Sequence, residues 1–297
     1  MQSFVLGFSL AMLFSVWWAA GAAEAQGTAA TSVEDRAIAR ITLAAKQRHL
    51  VQQIATASCF TLSPHNPQEN AATAWLGMVE FDGSFATLIQ GDPRREWAPE
   101  EDASVLAAVA GMQANWSTFR AATQQIISGD RHSVPMRQMV ELSAPVLTEV
   151  NAAVDRIIAA HAKGLDAQKA HVAGFNEVDQ QPMLIQRAAM AMCYISLGID
   201  EDRMRSDLRQ TINLFETALD ALEKDLSGTV QADPESPVLL PKINEIRALW
   251  DQFAEPLRKV AQGAEAEAED VAFVENATGQ LTEMSNALAS LSKAREQ

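Results

Sequence analysis

One tyrosine, and few runs in which β-branched and polar residues alternate, leave little from which to build strands. Two cysteines, Cys59 and Cys193, are too few for a disulfide scaffold and lack any Cys-x-x-Cys spacing for zinc or redox chemistry. The five histidines are scattered, and the nearest pair, His161 and His171, lies ten residues apart, which is no metal-ligand spacing on a helix. No metal and no cofactor is therefore expected. Beyond residue 25 no run of about 18 apolar residues occurs, which excludes a second membrane segment. Basic residues are also in short supply, 23 against 38 acidic ones, for a net charge of −15 that repels nucleic acid and anionic lipid. No Ser/His/Asp set, phosphate-cradling glycine loop or carboxylate pair with a partner base appears, so an enzyme is not expected.

What the chain does have begins with an uncharged apolar run, Phe4 to Ala20, followed by small residues at the −3 and −1 positions of a cleavage after Ala25. This is the pattern of a removed secretory signal over residues 1–25, although no Lys or Arg precedes the run. An uncleaved N-terminal anchor is the alternative.

Ala, Leu, Gln and Glu are abundant, and all favour helix. Leu208, Ile212, Phe215, Leu219, Leu222 and Leu226 step by fours and threes along one stripe, as do Ile243, Ile246, Trp250, Phe253, Leu257 and Val260. Breaks fall at Ser63–Pro67, Gly91–Pro99 and Ser128–Pro135, then at Gly198–Asp200, Gly228–Pro237 and Gly263. Each half thus reads as four helices with short connections, and short connections make antiparallel neighbours. The expected fold is all-α: two tandem antiparallel four-helix-bundle units, about eight helices, over residues 26–165 and 166–297.

The halves can be laid over each other at an offset of 134 residues. Gln47/Gln181, Leu50/Leu184, Gln52/Gln186, Ala55/Ala189, Ala57/Ala191 and Cys59/Cys193 are then identical, and Trp116/Trp250 and Phe119/Phe253 coincide. For the second helix the sequence suggests Phe85 opposite Phe215, an offset of 130, so that one loop gains four residues and the next loses them. The tryptophans and phenylalanines read as core anchors. The acidic run Glu265–Asp270 reads as a solvated start to the last helix, where negative charge suits the dipole. Export would put Cys59 and Cys193 in an oxidising compartment. Residues related by duplication meet only near a pseudo-symmetry axis, so either the two form a disulfide there or both are small buried hydrophobes.

The stretch Ala44-Ala45-Lys46-Gln47-Arg48-His49-Leu50-Val51-Gln52-Gln53 resembles the A-G-R-Q-R-M-L-S-Q-R signature of the PilJ-type N-terminal sensor domain of type IV pili methyl-accepting chemotaxis transducers. That family is related to the periplasmic domains of nitrate/nitrite sensors. Val178–Arg187 resembles the signature again, and Leu197–Asp200, Leu214–Leu219, Ala248–Trp250 and Pro145–Asn151 are similar to other parts of the family. The resemblance implies a periplasmic helical sensor that binds a small ligand, with nitrate or nitrite held near the signature helix. Gln47, Arg48, Gln52, Gln181, Gln186 and Arg187 are the matching positions, and Arg and amide donors present the N–H groups that a planar anion wants. Each copy departs from the signature: Gln53 stands at its final Arg in the first, and Pro182 at its central Arg in the second. Pro182 is expected in the first turn of its helix, where a proline is tolerated. With no transducer segment of its own, the chain needs a membrane-bound signalling partner, and sensor bundles of this kind form homodimers with ligand at the seam. The alternative is a structural or adaptor protein whose ligand site has decayed.

Overall fold

The computed structural model describes residues 32–130, 133–163, 165, 177–229 and 236–295; the expected signal segment and the 165/166 boundary fall outside or at the edge of these residues. Among the described residues there are eight α-helices and no strand. They are α1 (Val33–Phe60), α2 (Pro67–Gln90), α3 (Ala103–Ile127), α4 (Ser133–His161), α5 (Glu177–Ser196), α6 (Glu201–Thr229), α7 (Ser236–Ala261) and α8 (Ala268–Arg295). None is long and apolar enough to cross a membrane.

Local chemistry sets the ends. Ser32 and Asp35 form a capping box on α1, each side chain accepting from the other's backbone N–H at 3.0 Å. Pro67 opens α2, where its missing N–H costs nothing. Asp102 caps α3 by accepting from the Ser104 and Val105 amides. Gly91 ends α2 at φ +79°, and a Cβ there would run into the Trp97 carbonyl, so the turn that brings Asp92 against Trp97 requires glycine.

Two bundle-like units result. In the first, α1 packs on α2 and α4, and α3 packs on α4; in the second, α5 packs on α6 and α8, and α7 on both of these. Their helices end in step: α3 and α7 stop at Ile127 and Ala261, α4 and α8 at His161 and Arg295, and Gly129 and Gly263 follow α3 and α7 with positive φ. Each of these pairs is separated by the same 134 residues that separate Cys59 from Cys193.

The aromatic core shows that the register also holds in the second helix. Phe81 lies 3.9 Å from Trp116 between ring centroids, as Phe215 lies 3.7 Å from Trp250. Trp116 Nε1 donates to Asp82 at 2.8 Å, and Trp250 Nε1 to Glu216 at 3.4 Å. Phe81, not Phe85, is therefore the counterpart of Phe215, and the expected offset of 130 is corrected to 134. Phe81 and Phe85 are one turn apart on a single buried stripe, so apolar spacing alone fits either; the Trp contact decides. Burying these rings supplies much of the driving force for each bundle.

Pro182 is a second correction. Because α5 begins at Glu177, Pro182 lies inside the helix and past its first turn, where it takes away the N–H that the Val178 carbonyl would accept.

Candidate functional site

The two units meet along α1 and α5. Cys59 and Cys193 are bonded there, with Cα atoms 6.2 Å apart, and both are buried. Thr56 donates its hydroxyl to the Gln186 carbonyl at 2.9 Å. Moving from the disulfide to this contact runs toward the N-terminus of both helices, so α1 and α5 lie side by side in the same direction. Equivalent residues touch at Cys59/Cys193, which places a pseudo-two-fold axis close to that bond.

On one flank of the seam lies a cavity of about 240 Å³ between α1 and α2 of the first unit and α5 and α8 of the second. Its polar wall is built from Gln53, Asn66, Glu69, Asn70, Glu275 and Asn276, and neither Arg nor Lys lines it. The buried Glu275 is the hub: it accepts from Ser63 Oγ at 2.7 Å and from Asn70 Nδ2 at 2.7 Å. Asn66 donates to Asn276 at 3.0 Å. These bonds cross from one unit to the other, so whatever fills the cavity acts on the seam itself. The set of carboxylates, amide oxygens and amide N–H groups suits a small polar molecule that is neutral or cationic.

The opposite flank, reached by the 134-residue register of the disulfide pair, is built differently. There Met190, Tyr194 and Met204 stand where Thr56, Phe60 and Asn70 line the cavity, and all three are buried. Arg187 and Asp207, at the positions of Gln53 and Thr73, close that flank with an ion pair at 3.1 Å. Burial pushes the Tyr194 phenol up, only partly offset by Ser143. At these mirror positions the lining Thr and Asn are thus replaced by larger, buried apolar side chains.

The residues singled out by the signature are dispersed. Gln47 is buried and donates Nε2 to the Leu43 carbonyl at 2.8 Å, while its Oε1 has no protein partner. Gln52 and Gln181 are buried too; Oε1 of the first and both amide atoms of the second lack a partner. Gln186 donates to Thr282 Oγ1 at 3.2 Å and is the one member of the set that lines the seam cavity. Arg48 is buried within the first unit, bonded to Asn151 at 3.1 Å and to Asp155 at 2.5 Å. Arg187, a quarter exposed, pairs with Asp207 as described. The two arginines therefore face different partners and do not converge on one site.

A second cavity, of about 620 Å³, lies beside the start of α1. Arg36, Arg40 and His161 line it, and each is matched by a carboxylate: Glu96 at 3.0 Å for Arg36, Glu100 at 3.9 Å for Arg40 and at 2.7 Å for His161. Arg40 also donates to the Ala98 carbonyl and lies over the Trp97 ring. Burial pushes the Glu100 carboxyl up, but the Asp102 amide, His161 and Arg40 outweigh it and hold the group below its ordinary range. Among the described residues no group of His, Cys, Asp or Glu could hold a metal ion; His171 lies outside them.

The seam cavity was missed by reasoning from motifs, because its walls come from four helices that no local pattern joins. The signal that could have found it is the aligned halves, where Asn70 stands opposite Met204 and Thr56 opposite Met190.

Comparison with curated proteins returns no match. Residues 172–275, running from before α5 into α8, match the model of the family described as the type IV pili methyl-accepting chemotaxis transducer N-terminal domain, PilJ.

Proposed function

We propose that the protein is a sensory module that binds a small polar molecule in the seam cavity and acts through a separate signalling partner, outside the cytoplasm after cleavage near Ala25. The observation that carries this reading is the cavity's position: Glu275 of the second unit is held by Ser63 and Asn70 of the first, so an occupant competes for the bonds that join the units. The family-model match over residues 172–275 supports the sensory part of the reading. With two carboxylates and no cationic side chain on its walls, the cavity suits an ammonium-bearing or hydroxyl-bearing ligand better than an anion. The fused units take the place that a homodimer would otherwise fill.

Nitrate or nitrite held by Arg48 or Arg187 is the second ligand reading, and it requires either arginine to leave Asp155 or Asp207. A helical adaptor with a decayed site is the third, favoured by the same ion pairs. Titration calorimetry of the whole chain with methylamine, ethanolamine, nitrate and nitrite separates them. Heat with the amines that disappears in Glu275→Gln supports the seam site. Heat with nitrate alone, lost in Arg48→Ala or Arg187→Ala, replaces it with the anion site, and no heat from any of them leaves the adaptor.

A further inference from the structure

The cavity of about 620 Å³ beside the start of α1 plays no part in the proposed seam site, yet its volume falls in the range of about 300 to 1,000 Å³ typical of small-molecule pockets. Its walls combine apolar side chains, among them Ala37, Ala160 and Leu165, with the Trp97 indole and the Arg40 guanidinium. The Arg40 side chain is only 9 % exposed.

The charge of Arg40 is answered, but its hydrogen bonds are not. Glu100 Oε1 accepts from the Glu101 and Asp102 amides at 3.0 and 2.9 Å, and Oε2 faces His161 Nε2 at 2.7 Å. At 3.9 Å from Arg40 Nη1, Oε2 supplies charge from beyond hydrogen-bond range. Because Glu100 is held ionised, His161 Nε2 must donate to it and cannot also accept, so the 3.4 Å approach of Arg40 Nη1 to that nitrogen is a contact without a bond. What remains is one bond, from Nη2 to the Ala98 carbonyl, with the guanidinium lying over the Trp97 ring. Among the described residues Nε and the other N–H groups have no acceptor, and burying such donors unmet is costly. Burial accordingly lowers the Arg40 pKa by more than Glu100 raises it.

Two further cations line the cavity. Arg36 is tied to Glu96 by a partly exposed ion pair, which is cheap to exchange, and Lys163 makes no ion pair among the described residues. Glu34 is on the same walls and is itself engaged. None of this belongs to the duplicated skeleton: 134 residues on, Gly174, Gln231 and Gln297 stand where Arg40, Trp97 and Lys163 do.

We infer that this cavity is a second binding site, for a small organic carboxylate whose oxygens meet the unused N–H groups of Arg40 and whose apolar body lies against Ala37, Ala160 and Leu165. A carboxylate matches the parallel donors of a guanidinium, and the apolar walls give an organic acid a contact that a bare inorganic anion lacks.

Titration calorimetry of the whole chain with benzoate and butyrate, against benzamide and butyramide, tests the site. At least one acid is expected to bind, at least about ten-fold more tightly than its own amide. Arg40→Lys keeps a positive charge without the fork and is expected to weaken that binding at least about ten-fold. Ala37→Leu leaves every ion pair in place and fills the cavity, so it should weaken binding as much with an unchanged thermal midpoint. No binding by either acid, equal binding of acid and amide, or binding that survives either variant overturns the inference. So does nitrate that binds as tightly as benzoate and is lost in the same variants, since the apolar walls would then contribute nothing. The amine titrations report on Glu275 and these on Arg40, so either site can fail without the other.

Discussion

The two units share a skeleton and differ in their skins. α2 and α3 carry four charged residues between them, whereas α6 and α7, at the same places in the second unit, carry eighteen. Underneath, the Phe81–Trp116–Phe119 and Phe215–Trp250–Phe253 stacks are nearly superimposable in their ring spacings. Each Trp indole bonds a carboxylate that an arginine also holds, but the arginine comes from different turns: Arg120 reaches Asp82 at 2.8 Å, and Arg258 reaches Glu216 at 2.5 Å. Packing geometry is conserved between the units because a dense core tolerates little change of volume. A charge partner can migrate along a helix as long as it still arrives.

The largest test of this comparison is the bond that ties the units together. Cys59→Ser with Cys193→Ser opens a loop of more than a hundred residues and is expected to cost about 4 to 5 kcal/mol on the chain-entropy account. Denaturant unfolding of wild type should be one transition, and loss of the bond should split it into two if the disulfide is what couples the bundles. A single transition in both would mean that α1–α5 packing suffices.

Trp250→Ala and Trp116→Ala come next, each expected to cost about 3 to 5 kcal/mol by leaving a cavity. Trp250 is fully buried and Trp116 keeps 7 % exposure, so the second unit should suffer more. Equal or reversed costs from chemical denaturation would break the equivalence of the two anchors.

Acid should distinguish the units at smaller scale. Burial and Lys46, only partly offset by Glu80, push the His49 imidazole down to about 4, and its Nδ1 is shielded without a partner, whereas Met183 stands at the equivalent place in the second unit. A depressed folded pKa means that the unfolded chain takes up the proton first. Its contribution is complete above about pH 6.5 and is lost as pH falls toward 4, on the order of 3 kcal/mol. His49→Met should flatten that part of the pH profile of stability; an unchanged slope between pH 6.5 and 4 would remove His49 from the account.

The smallest effects belong to the indole-carboxylate clusters. Arg120→Ala and Arg258→Ala each remove a partly exposed ion pair, for about 0.5 to 1 kcal/mol. Thermal melts should give the two variants nearly the same shift if the migrated arginine is equivalent.

The helices, their antiparallel order and the duplicated register could be read from spacing because apolar stripes and glycine or proline breaks are local signals. Phe81 against Phe85 could not be decided that way, since residues one turn apart satisfy the same stripe. Pro182 could not be placed by spacing for a related reason: Asn176 and Asp179 are both N-cap residue types, and the choice between them moves the proline across the end of the first turn. The signature residues were visible as letters, but their partners Asp155 and Asp207 lie on other helices, and only packing says that both arginines are engaged. The seam cavity depended on which flank had been plugged by Met190 and Met204, a difference between copies and not a motif.

The disulfide at the pseudo-two-fold has a further consequence. Two identical subunits must present every surface twice and find each other by collision; joined in one chain, they assemble at any dilution and in a fixed one-to-one ratio. Once joined, the copies are released from identity. One flank can carry a polar lining while the other carries buried apolar side chains, and one outer helix can be apolar where its counterpart is polar, so the molecule has a front and a back.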